Sequence, residues 1–95
     1  MARLDKIGTV ATCVYHNGDF TCVKYHYTDV VKFNWDKIIL NSNGWQTQTT
    51  KTRMNQASNQ FGLNFQVYQK NWDWFIDYNG QTVEFYDGIE LVRSH

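Results

Sequence analysis

Apolar and polar residues alternate along most of this chain, and that alternation predicts strands. Residues 9–16 and 20–27 flank Asn17-Gly18, a strong two-residue hairpin signal because both central positions of that turn take positive φ. Val30-Val31-Lys32-Phe33 and Ile38-Ile39-Leu40 flank a short connection over 34–37 and give a second hairpin, with Thr28-Asp29 as the bend between the two. After the polar stretch 41–48 the period changes. Thr50, Met54, Ala57, Ser58 and Phe61 recur at the spacing of one helix face, which predicts a helix over about residues 50–61. Thr49 is its expected N-cap, and Gly62 the left-handed residue that ends it. So short a helix is marginal alone and must lay its apolar stripe on a sheet.

The last third alternates most regularly. Lys70-Asn71 as a turn pairs Phe65 with Ile76 and Val67 with Trp74, and Asn79-Gly80 pairs Ile76 with Val83 and Trp74 with Phe85. Both registers put Phe65, Val67, Trp74, Ile76, Val83 and Phe85 on one face, so a three-stranded meander covered on one side is expected. Ile89, Leu91 and Val92 suit a final short strand, but hairpin pairing after Asp87-Gly88 would set Glu90 against Phe85. A bulge or a looser corner is expected there instead. The reading is an α+β fold: an antiparallel sheet of about six to seven short strands with one central helix packed on it, residues 1–95 forming a single domain. An incomplete β-barrel with a helical plug is the competing arrangement.

The two cysteines follow from the first hairpin. A turn at Asn17-Gly18 sets Cys13 directly opposite Cys22 as a non-hydrogen-bonded pair, close enough for a cross-strand disulfide. Two reduced thiols facing one another is the plainer reading, and a redox switch the alternative. His26 lies too far along the strand to join them, so no metal site is expected.

Charge sharpens the picture in one place. Nine Lys and Arg balance nine Asp and Glu, which argues against both a highly basic nucleic-acid coat and a highly acidic mimic. The balance is uneven: residues 37–72 hold Lys37, Lys51, Arg53 and Lys70 and no acid, while residues 73–95 hold five acids and only Arg93. On the expected outward arc of the helix lie Thr52, Arg53, Asn55, Gln56, Asn59 and Gln60, with Lys51 at its border. A solvated helix face ordinarily mixes Glu with Lys, whereas Asn, Gln and Arg are side chains that grip base edges or another protein. Lys51, Arg53, Asn55, Gln56 and Asn59, with Trp45 in the preceding loop, are therefore the candidate contact surface. A protein partner is the leading reading, a nucleic acid the second, and a polar face without a ligand the bland one. An open strand edge leaves room for a homodimer.

Candidate chemistry is sparse. No GxGxxG, P-loop, HExxH or CxxC pair occurs. His16 at a turn, His95 at the end and His26 within KYHY read as solvated or half-buried strand residues, and Asp73 and Asp77 as solvent-facing neighbours of Trp74. Neither an enzyme nor a cofactor is expected. Trp45 follows a glycine and Trp72 borders a turn; capping the ends of a small core is the favoured reading, anchoring an interface the other. No apolar run approaches a membrane span or a signal-peptide core, so a soluble cytoplasmic protein without membrane contact is expected.

The segment GWQTQTTKTRMNQ at 44–56, followed by VYQK and WFI, resembles a group of small tailed-bacteriophage proteins, cyanophage-like ones in particular, over roughly residues 25–92. That group brings no catalytic residues with it. The resemblance implies a viral accessory protein, working in the cytoplasm of an infected bacterium by binding a host protein or a nucleic acid.

Overall fold

The computed structural model describes residues 12–44 and 46–93. Eight strands and one helix follow in the order β1 (Thr12–Asn17), β2 (Phe20–Tyr25), β3 (Thr28–Phe33), β4 (Lys37–Leu40), α1 (Gln48–Phe61), β5 (Phe65–Lys70), β6 (Asp73–Tyr78), β7 (Gln81–Glu84) and β8 (Ile89–Val92). They form the expected α+β fold, but in two antiparallel sheets, β1-β2-β3-β4-β8 and β5-β6-β7. The awkward corner after Phe85 is resolved by departure. β8 leaves the meander and pairs with β4, so Glu90 meets Ile39 and Ile89 meets Leu40. The expected N-terminal strand residues 9–11 lie outside the described residues.

Turn chemistry sets the registers. Asn17 pairs with Phe20 across Gly18-Asp19, and only Gly18 (φ 64°) has positive φ, as a glycine-first type II′ turn requires. This moves the register by two from an Asn17-Gly18 turn. Cys22 then faces Tyr15, and Cys13 faces Lys24. The cysteines share a face only diagonally, roughly 7–8 Å apart, beyond the reach of a disulfide without backbone movement. Both are free. The bend expected at Thr28-Asp29 lies instead at His26-Tyr27, with His26 at φ 56°. The next connection falls where expected, and Asn34 closes it, its Oδ1 accepting from the Asp36 and Lys37 amides at 2.9 and 3.0 Å.

A bulge in β3 redirects a carboxylate. Val23 pairs with Val31 but Lys24 with Asp29, so Val30 is extra and both valines enter the core. Asp29 is thereby turned to the outer face. There its two oxygens accept from the Tyr15 hydroxyl at 2.7 and 2.6 Å.

The meander's faces are as predicted. Its first register differs by two, Val67 meeting Ile76 and Gln69 meeting Trp74, and a shift of two leaves every side chain on its own face. The second register, Ile76 with Val83, matches. Phe65, Val67, Trp74, Ile76 and Phe85 are buried and join Val23, Val31, Ile38, Leu40 and Leu91 of the larger sheet in one core. Met54 and Ala57 enter it from the helix. Burying each large side chain contributes about 1.5–3 kcal/mol.

The helix begins two residues before expectation, at Gln48. Thr47 is its N-cap, accepting from the Thr50 amide, and Gly62 (φ 65°) ends it as foreseen. It packs against β5 on one side and against β3 and β2 on the other.

Candidate functional site

That double packing decides what the helix side chains do. Lys51, Arg53 and Gln56 are buried, at 9%, 8% and 3% exposure, so the expectation that they face solvent is overturned. A helix with one covered face would present them; a helix between two sheets encloses them. Arg53 donates from Nε to Thr12 Oγ1 at 3.0 Å and from Nη1 to Gln56 Oε1 at 3.1 Å, and its guanidinium lies 5.7 Å from the Tyr25 ring centroid. Lys51 lies over Trp74, 5.7 Å from the ring centroid, with its Nζ 3.5 Å from Gln69 Oε1. Both cations are engaged inside the fold.

Asn55 is half-buried and has a structural duty. Its Nδ2 donates to the Val67 carbonyl at 2.9 Å and its Oδ1 accepts from the Val67 amide at 2.8 Å. One turn on, the Ser58 hydroxyl donates to the Phe65 carbonyl at 2.7 Å and accepts from the Phe65 amide at 3.0 Å. Two helix side chains thus replace a neighbouring strand along the outer edge of β5, which closes that edge to further pairing. The paired donor and acceptor that suit Asn to a base edge serve a backbone here. Asn59 is exposed, and Trp45 lies outside the described residues.

The remaining polar groups on the larger sheet are quiet. Holding both Asp29 oxygens drives the Tyr15 phenol well above its ordinary range, with burial and the Asp29 charge adding to the shift. Burial foremost, then the Asp29 charge, raises the Cys22 thiol, the reverse of what an attacking thiolate needs. Among the described residues no group of three His, Cys, Asp or Glu is placed to hold a metal ion. Among them also, no helix is long and apolar enough to cross a membrane.

One end of the molecule differs. A mostly apolar cleft of about 340 Å³ opens between the β2–β3 turn and the loop before the helix, lined by Tyr25, His26, Tyr27, Val30, Ser42 and Thr50 among others. Its loop side is pinned by Asp87, which accepts from the Ser42 amide at 2.8 Å, the Ser42 hydroxyl at 2.6 Å and the Gly44 amide at 2.9 Å. Burial pushes the Asp87 carboxyl up, but these three donors outweigh it and hold the group below its usual range.

Thr50 faces this cleft, while its neighbour Lys51 reaches Gln69 and Trp74, the pair just inside the β5–β6 turn. The two turns therefore flank the first turn of the helix. Each carries a large exposed aromatic: Tyr27 at 95% and Trp72 at 89%. No hydrogen bond or ring contact to a described residue engages either of them. Contrary to the favoured reading, Trp72 does not cap the core, and the sequence gives no sign of Tyr27 because KYHY reads as continuous strand. Hydrophobic alternation has no signal for a side chain that packs against nothing.

No curated protein and no solved structure matches the chain. The family model described as Kyanoviridae Gp96 protein matches residues 2–92, in line with the cyanophage resemblance of its central segment, and the chain belongs to that phage family.

Proposed function

We propose that the chain is a non-enzymatic phage protein that works in the infected bacterium by binding a host protein. It docks through the end where the β2–β3 and β5–β6 turns flank the helix. The observation that carries this reading is the near-complete exposure of two aromatics, Tyr27 on the rim of the apolar cleft and Trp72 at the tip of the β5–β6 turn. A single exposed aromatic needs no explanation; two at turns on either side of the helix's first turn, one of them on the rim of an apolar cleft, have the make-up of an interface centre. The test compares capture from host lysate by wild type and by a Tyr27→Ser/Trp72→Gly double variant. A partner bound saturably by wild type and lost by the double variant is expected. Equal recovery by both would contradict this docking end.

A nucleic-acid reading no longer has Lys51 and Arg53 for phosphates. It moves to the outer face of the larger sheet, where Lys24 lies 5.9 Å from the Tyr15 ring centroid and Lys32 5.5 Å from that of Phe20. Lysines over aromatic rings on a sheet suit a single strand. So small a cationic patch implies weak, salt-sensitive binding. Oligonucleotide titration at low salt, with Lys24→Ala/Lys32→Ala as control, decides it; no binding by wild type eliminates this reading.

A further inference from the structure

We propose that Trp72 is the anchor of the host-protein contact: one indole offered on a strained hairpin tip to an apolar pocket of the partner. This rests on the reading above, that the chain binds a host protein through this end.

The meander contains its own control. Its two hairpins both close with two-residue loops in which both residues have positive φ: 53° and 73° at Asn71-Trp72, 51° and 77° at Asn79-Gly80. The backbone makes nearly the same demand twice. At the second position one turn uses glycine, which carries no Cβ and suits that conformation, and the other uses one of the bulkiest side chains available. A tryptophan there is strained.

The indole itself gives nothing back to the fold. Trp72 is 89% exposed, whereas Trp74, two residues on, is 4% exposed and packed between Lys51 and Phe85. A side chain held against its local preference and giving nothing to the core points to use outside the molecule.

The surroundings name the occupant. Lys70 and Asp73 close the turn as a pair of opposite charge, and Gln69 and Asn71 are polar and uncharged. The charges at the tip sum to zero, so it offers a phosphate backbone no net attraction. A lone indole in a polar ring matches a hot-spot residue that enters a partner's pocket, with an acceptor there for its N–H.

The test uses the full chain and the partner captured by wild type, purified, with Kd measured for wild type, Trp72→Gly, Trp72→Phe and Tyr27→Ser. Trp72→Gly is expected to bind at least about 30-fold more weakly, and Trp72→Phe to fall between. Trp72→Gly is also expected to melt above wild type, because glycine relieves the turn. A gain in stability with a loss of binding separates an anchor from a structural residue. Unchanged affinity in Trp72→Gly with lost affinity in Tyr27→Ser overturns the anchor and leaves the host-protein reading intact. Lost affinity together with a lowered Tm overturns the anchor too, since the tryptophan would then be structural. Self-association of wild type that Trp72→Gly abolishes replaces the host protein by a second copy. No saturable partner for wild type overturns the reading and the anchor with it.

Discussion

The two hairpin tips of the small sheet make the same turn with different chemistry. Asn79-Gly80 is what a local rule would choose; Asn71-Trp72 breaks that rule at the same backbone angles. The difference lies in what holds each hairpin. β5 is fastened along its outer edge by Asn55 and Ser58, with Lys51 reaching across to Gln69 and Trp74, so its pairing with β6 is fixed from outside. β7 is paired only with β6. A hairpin fixed from outside tolerates a poor turn residue, and one that relies on its own turn does not. The helix thereby leaves the β5–β6 tip free to carry a functional side chain.

The largest expected effect comes from undoing that fastening. Asn55→Ala and Ser58→Ala each leave a β5 amide and carbonyl without their partners, at about 1–3 kcal/mol apiece. Urea unfolding of the double variant should show a loss near the sum, and amide exchange should speed up along β5. A loss below about 1 kcal/mol would mean the fastening does not hold the strand. Next in size is the reverse substitution. Gly80→Trp meets no atom within 4 Å of the added Cβ, so its cost is backbone strain alone, about 1–2 kcal/mol. In urea it should destabilise more than Trp72 does at its own tip, because β7 lacks the helix's support. An equal or smaller cost would remove the distinction between the tips.

The smallest effect concerns the loop that borders the cleft. Asp87 has a lowered pKa in the fold, so its contribution is present above the unfolded value, about 3.9, and is lost as pH falls through the folded value. Wild type should lose stability below about pH 4, and Asp87→Asn should lack that component. Parallel acid profiles for the two would show that Asp87 does not pin the loop.

The sequence read well wherever period alone was enough. The core face of the meander survived a misplaced turn because a slip of two restores every face. For the same reason alternation cannot distinguish a turn at Lys70-Asn71 from one at Asn71-Trp72, and so the exposed indole was invisible. The cysteine pair failed in the same manner: same face, wrong partner. The helix failed differently. Its stripe of Thr50, Met54, Ala57 and Ser58 was correct, but a single periodic stripe reports one packing partner, and here there are two. Arg53 and Gln56 look like surface residues in any one-dimensional pattern. Only the arrival of β2 on one side and β5 on the other encloses the arc from Lys51 to Gln56.

Thermal unfolding of Trp72→Gly beside wild type is the most direct measurement, since it needs no partner and asks whether the tip is strained. Relief of about 1 kcal/mol predicts a rise of about 4–8 °C in Tm. A Tm equal to or below that of wild type would show that Trp72 sits at ease or supports the fold, and the contrast between the two tips would carry no functional meaning.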